Sequence, residues 1–321
     1  MRSYAAVIGL SMVVGALCAP KNPLLWGRDT CTTNDLGLPS GGLKGKNGVA
    51  WGWNPDVGAG TQMSAITSAA DNKKPSTYGL YSQITSNSGY DPSQLTGRMA
   101  DIKASGAVLV AHVMPTGLKL SEVDVKIAGD IANMVKQFTS QGVEVWLRFA
   151  HEVNWYTTPD ASPRYYGNAA DFIKAWKIVH DAVKDIEGCL MFWSPNQGSV
   201  SDLQKWFPGA DYVDIVGVDV YVSDTKATFE NTFGDFYNTF AKGYNKHMAL
   251  GETGNRVNNW DVKANLVKQL ANTYLKAYPC FQSVTWFEYL KVESSGQPST
   301  DHRVIMGQSS AHVGQTLGNF A

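Results

Sequence analysis

The stretch "WLRFAHEVNWY" (146–156) places Arg148, His151 and Glu152 in a run otherwise fit for a buried strand. Charged groups are costly to bury unless they are paired, so these residues need a reason to be there. A second carboxylate, Glu252 in "LGETG" (250–254), ends another apolar run in the same way. Other runs also close on polar or aromatic groups: Trp53 and Asn54, His112, Trp193 and Asn196, Asp219 and Tyr221, and Trp286. Two carboxyl groups facing one pocket can cleave a glycosidic bond. One is protonated and donates to the leaving oxygen, while the other is ionised and attacks the anomeric carbon. Either glutamate alone reads equally well as a structural partner of a nearby arginine. Both together, aligned with the other strand-end residues, favour a shared cleft.

Other chemistries find no support. A zinc-protease HExxH helix would need histidine at position 155, which is Trp155, and "WSPNQGS" lacks the GxSxG elbow of serine esterases. No Gly-rich dinucleotide turn follows the first apolar run, and no phosphate loop occurs. Cysteine and histidine are not clustered at metal-ligand spacing, so neither cofactor nor metal is expected. The 321 residues carry a net charge of −1 with no basic run, which argues against nucleic acid as a partner. Ten Trp, 14 Tyr and 12 Phe supply many ring faces, most of them for the core and some suited to stacking on sugars.

The elements that must hold these groups alternate. Apolar runs at 48–54, 76–84, 107–115, 143–152, 189–196, 213–222, 246–254 and 283–290 read as strands. Between them, 124–142, 169–188 and 261–279 show the three-and-four apolar spacing of amphipathic helices, with Gly or Pro at their ends. Eight strands alternating with helices predict an α/β fold, a single-domain (β/α)8 barrel, with its active face at the C-terminal strand ends. Strand alternation puts Arg148 and Glu152 on one face, and Asp219 and Tyr221 on one face. Residues 1–19 read as a secretory signal peptide, 20–46 as a lead-in and 47–321 as the barrel. A secreted, extracellular, monomeric protein is expected, with no membrane partner. Removal of the leader leaves Cys31, Cys189 and Cys280, most simply one disulfide and one buried thiol.

At its strand ends the chain resembles glycoside hydrolase family 26, retaining β-glycanases with a (β/α)8 barrel. "RFAHEVN" resembles the family's strand-four motif, with histidine directly before the acid/base glutamate and arginine four before it. "WSPN" (193–196), "DYVDIVGVDVY" (211–221) and "LGETG" resemble its fifth, sixth and seventh strand signatures. The resemblance implies Glu152 as acid/base and Glu252 as nucleophile, with Tyr221 hydrogen-bonded to the nucleophile. It also implies that His112, Arg148, His151, Asp219 and Trp286 line the site. The chain departs from family mannanases after Glu152, where "NWYTTP" replaces an "NG-x-W" segment and brings Trp155 and Tyr156 closer. Either aromatic could meet the leaving-group sugar. "WFEYLK" and "DHRVI" look more like the β-glucan-cleaving branch, so β-1,4-mannan and β-1,3/1,4-glucan both stay open as the polysaccharide substrate.

Further expectations attach to single residues. Glu152 in a partly apolar pocket should have a raised pKa. Trp286 is expected to be a stacking platform and Trp193 to contact substrate, whereas Trp146, Trp176 and Trp206 read as core or helix packing. A non-catalytic carbohydrate-binding barrel is the rival reading, one that would be expected to have lost a carboxylate.

Overall fold

The computed structural model describes Cys31, residues 36–292 and residues 299–321; the expected leader at 1–19 lies outside the described residues. Eight parallel strands close into a barrel: β1 (Ala50–Pro55), β2 (Thr77–Gln83), β3 (Val108–Met114), β4 (Val145–Phe149), β5 (Cys189–Trp193), β6 (Ile215–Val216), β7 (His247–Leu250) and β8 (Phe281–Glu288). The ring closes where β1 pairs with β8, from Ala50 opposite Ser283 to Pro55 opposite Glu288. A helix follows each strand: α1 (Met63–Ala69), α2 (Met99–Ser105), α3 (Val125–Thr139), α4 (Ala169–Val183), α5 (Val200–Gln204), α6 (Phe229–Phe236), α7 (Trp260–Ala271) and α8 (Ser310–Leu317). The chain is a (β/α)8 barrel, and each apolar run of the sequence supplies one of its strands.

The helix periodicity becomes packing. In α3 the residues Ile127, Ile131, Met134, Val135 and Phe138 are buried, and Asp124 caps the helix by accepting from the Ile127 N–H. At the start of α4, Asn168 and Asp171 form a reciprocal capping box.

Four strands (β4 to β7) stop three or more residues before their apolar runs end, and two of these breaks place the glutamates. β4 ends at Phe149, not Glu152, because Ala150 (φ 47°) and Glu152 (φ 51°) both turn left-handed. The Glu152 N–H then donates to the Ser194 carbonyl at 2.8 Å, in the loop beyond β5. β7 ends at Leu250, and the chain re-forms a strand at Thr253–Asn255 that pairs in parallel with Val220–Val222, above the barrel. Glu152 and Glu252 therefore both sit where a barrel strand has just broken off.

The barrel floor holds Val108, Val110, Trp146, Phe192, Ile215 and Ala249, closed from below by Leu36, whose carbonyl accepts from the Trp146 indole at 2.9 Å. Nearer the mouth the interior turns polar, with buried Asn54, His112, Arg148, Ser194 and Asp219. The larger core, which includes Trp51, Trp53, Trp193 and Trp286, lies between strands and helices. A disulfide joins Cys31 to Cys280 across 249 residues of sequence. Cys189 remains a thiol, half-buried rather than buried, and burial pushes it up to about 12. No helix among the described residues is long and apolar enough to cross a membrane.

Candidate active site

Arg148 is the hub of the site. From β4 it points up the barrel axis, fully buried, and Gly251 lets it pass, since a Cβ there would lie 2.5 Å from Nε. Its guanidinium forms a buried ion pair with Asp219, donates to Ser194 Oγ at 2.8 Å and lies 3.6 Å from Glu252 Oε2. Ser194 Oγ in turn donates to Asp219 Oδ1 at 2.9 Å. A buried guanidinium is tolerable because its terminal Nη groups meet such acceptors, while Nε has no partner among the described residues. On the other side Arg148 Nη1 lies 2.5 Å from His112 Nδ1. Arginine can only donate, so Nδ1 accepts and the His112 proton sits on Nε2. Burial, and then Arg148, hold His112 well below the usual histidine range, and the same causes act on His151. Both rings are neutral near pH 7.

The two glutamates differ in their surroundings. Glu252 is held by two phenols: Tyr221 donates to Oε1 and Tyr81 donates to Oε2 at 2.5 Å. With Arg148 alongside, both oxygens of this carboxyl are arranged as acceptors. Among the described residues Glu152 receives one side-chain donor, Asn196 Nδ2, on Oε1 at 2.8 Å. Its carboxyl is pushed well above the usual range, first by burial and then by the negative charges of Asp219 and Glu252, against the pull of Arg148 and Asn196. One oxygen each from Glu152, Asp219 and Glu252 lie within 4.8 Å of one another. The pair can therefore combine a proton donor with a charged nucleophile.

His112, His151 and Glu252 also bring donor atoms within 4.8 Å of one another. This trio and the carboxylate trio could each surround a cation, but Arg148 contacts members of both. A divalent ion would sit beside a buried positive charge, so the donor set fits proton transfer better than metal binding.

Of the residues expected from sequence, His112, Arg148, His151, Glu152, Asp219, Tyr221 and Glu252 converge here. Tyr156 packs against His151 (5.5 Å between centroids) and buried Tyr165 (4.9 Å). Trp155, on the helical turn Val153–Tyr156 beyond Glu152, is 44% exposed.

Trp193 and Trp286 are corrections. Thr285 points into the barrel, where its hydroxyl meets that of Thr77 at 2.8 Å, so alternation sends Trp286 outward. There it is fully buried, stacked on Trp51 at 5.9 Å, with its indole N–H on the His302 carbonyl at 2.9 Å. Likewise Ser194 faces Arg148, and Trp193 packs outward on Phe207, Phe236 and Phe240. On β8 the aromatic beside the site is Phe287, half-buried, 5.9 Å from the Tyr221 ring and stacked on Tyr289 at 4.2 Å.

Asn196 stood among the strand-end residues of the sequence, whereas Tyr81, Ser194, Phe287 and Tyr289 received no role from it. Tyr81 was open to discovery: Thr77, Gly79 and Tyr81 share the inward phase of β2, and a small residue midway leaves room at the mouth.

Residues 117–291 match the profile of Glycosyl hydrolase family 26. Over 200 residues the chain is 22% identical to Endoglucanase H of Acetivibrio thermocellus, covering 57% of this chain and 22% of that protein's length. The fold is similar to that of the Bacillus subtilis mannanase BCman (TM-score 0.54, 19% identity, 81% of this chain and 83% of that one). It is also similar to that of a modular endo-β-1,4-mannanase from Cellulomonas fimi (TM-score 0.60, 16% identity, 85% and 71%). At these identities the structural likeness is one of fold.

Proposed function

The chain belongs to glycosyl hydrolase family 26, and we propose on that premise that it is a secreted, retaining endo-β-glycanase. The observation that carries the reading is the pair of glutamates with oxygens within 4.8 Å of each other and opposite environments. Retaining enzymes hold their carboxyls about 5–5.5 Å apart, whereas inverting ones leave about 6.5–9.5 Å for a water. In the first step Glu252 attacks the anomeric carbon while Glu152 protonates the departing oxygen, giving a glycosyl ester and a free sugar end. In the second, Glu152, now ionised, removes a proton from water, which attacks the same carbon and releases Glu252. Burial and neighbouring negative charge favour the protonated form of Glu152 that the first step requires. Exposed Trp155 and half-buried Tyr156, just beyond Glu152, are suited to contact the leaving-group sugar, and Phe287 with Tyr289 offers an aromatic wall beside Glu252.

The substrate is a cell-wall β-glycan, either β-1,4-mannan or β-1,3/1,4-glucan; relatives named mannanase and endoglucanase both support this range. Secretion is supported by the leader-like residues 1–19 and by the Cys31–Cys280 disulfide, a bond that persists in oxidising compartments. The experiment is incubation of the purified protein with mannan, mixed-linkage glucan, laminarin and xylan. Products are identified by chromatography and the configuration of the newly released reducing end by proton NMR. Oligosaccharides from mannan or mixed-linkage glucan with a β reducing end are expected. Binding without cleavage would favour the non-catalytic barrel, and an α reducing end would exclude retention.

A further inference from the structure

The one side-chain donor that the described residues place on Glu152 distinguishes its two oxygens. Asn196 Nδ2 donates to Oε1, and an amide nitrogen cannot accept in return. Oε1 is thus committed as an acceptor, and a proton on this carboxyl belongs on Oε2. Asn196 is itself held from the helical turn that follows β4. Asn154, two residues after Glu152, donates from Nδ2 to the Asn196 carbonyl at 2.9 Å and accepts from the Asn196 N–H at 2.8 Å. The Glu152 N–H bond to the Ser194 carbonyl ties the same two loops together, and the Asp219 N–H donates to Pro195 O at 2.9 Å. These contacts form a clip that fixes the Asn196 amide relative to the glutamate.

We propose that Asn196 is the positioning residue of the acid/base: it confines the transferable proton to Glu152 Oε2 and holds that oxygen in one orientation, with Asn154 fixing Asn196. The inference rests on the reading of Glu152 as the acid/base. The other charged or titratable groups facing this carboxyl are Asp219, Glu252, Arg148, Tyr156 and Tyr165. Among the described residues, none of these five is hydrogen-bonded to the Asn196 side chain, whose amide donates to Glu152. Loss of an N–H that favours the charged carboxylate should raise the Glu152 midpoint.

The test uses the full-length mature protein with carbon-13 in the glutamate carboxyls, Glu152 being assigned by comparison with Glu152→Gln. In Asn196→Ala the Glu152 titration should move to higher pH than in wild type. Asn196→Asp keeps the shape but replaces the donor with a second acid, and should move it further; thermal melts confirm that each variant is folded. Cleavage of polysaccharide by Asn196→Ala should fall about tenfold, part of the ~10²–10⁴ that a positioned acid supplies, with a clearly smaller loss on a dinitrophenyl glycoside. A folded Asn196→Ala or Asn196→Asp with an unmoved Glu152 midpoint overturns the proposal, whatever its activity. A moved midpoint with equal losses on both substrates would instead refute Glu152 as the acid and leave the clip's hold on its titration standing.

Discussion

Glu152 and Glu252 are both glutamates at broken strand ends, yet their partners give them different tasks. A nucleophile is needed for any leaving group, whereas a proton donor matters when the leaving group is poor. Glu252→Ala should therefore abolish turnover of polysaccharide and activated aryl glycoside alike. Glu152→Ala should lose about 10²–10⁴-fold on polysaccharide but still release one equivalent of activated phenol before stalling. Azide, which needs no base, should restart it and yield a β-glycosyl azide, while in Glu252→Ala azide should give the α-product; the reverse pattern would exchange the roles. The pH profile has a defined sign. Glu152 must be protonated for the first step, so the basic limb of kcat/KM follows its ionisation. Asp219 repels that charge, and Asp219→Asn should move the basic limb to lower pH. A limb that stays fixed or rises would show that Glu152 does not control it. These residue types and their strand-end positions were legible in the sequence, as was the expectation of a raised pKa. The donors on the carboxyls were less so: Tyr81 lies 171 residues before Glu252 and Asn196 lies 44 residues after Glu152, and only barrel closure makes them neighbours.

Within single elements, strand phase decides which aromatics meet the cleft. β8 carries Trp286 and Phe287 side by side, and one of them must point inward. Trp286 is the larger ring and the more obvious sugar platform, yet the Thr285–Thr77 hydroxyl contact fixes the opposite phase. Trp286→Ala should accordingly cost stability by about 3–5 kcal/mol, the usual range for emptying a buried indole site. Its kcat/KM per folded molecule should stay near wild type. Phe287→Ala should do the reverse, lowering kcat/KM with little change in the denaturation midpoint. Paired chemical-denaturation curves and initial rates separate the two, and a stable but inactive Trp286→Ala would return the platform role to the indole. The same logic displaced Trp193, because Ser194 takes the inward place beside Arg148. The runs themselves were legible from hydrophobicity, but barrel strands are apolar on both faces, so alternation gave no hint of which face was inner.

At the level of the whole molecule, Leu36 closes the barrel floor, and the Cys31–Cys280 bond links the chain before β1 to the start of β8. A cross-link spanning 249 residues restricts the unfolded chain strongly, by about 5–6 kcal/mol in the loop-entropy account. Cys280→Ser should lower the melting temperature by several degrees or more while leaving the Glu152 titration unchanged, because the bond lies at the end of the barrel remote from the site. A shifted titration would show that the floor and mouth are coupled. The sequence by itself determined the barrel, since eight apolar runs separated by helix-period segments leave few other ways to bury their faces. It also determined which acids stand at strand ends, because charge inside an apolar run is conspicuous. Only the tertiary structure decided which cysteines pair, which tryptophans face outward, and which oxygen of each glutamate is held. Those outcomes depend on strand phase and on contacts between residues far apart in the chain, and barrel closure fixes both.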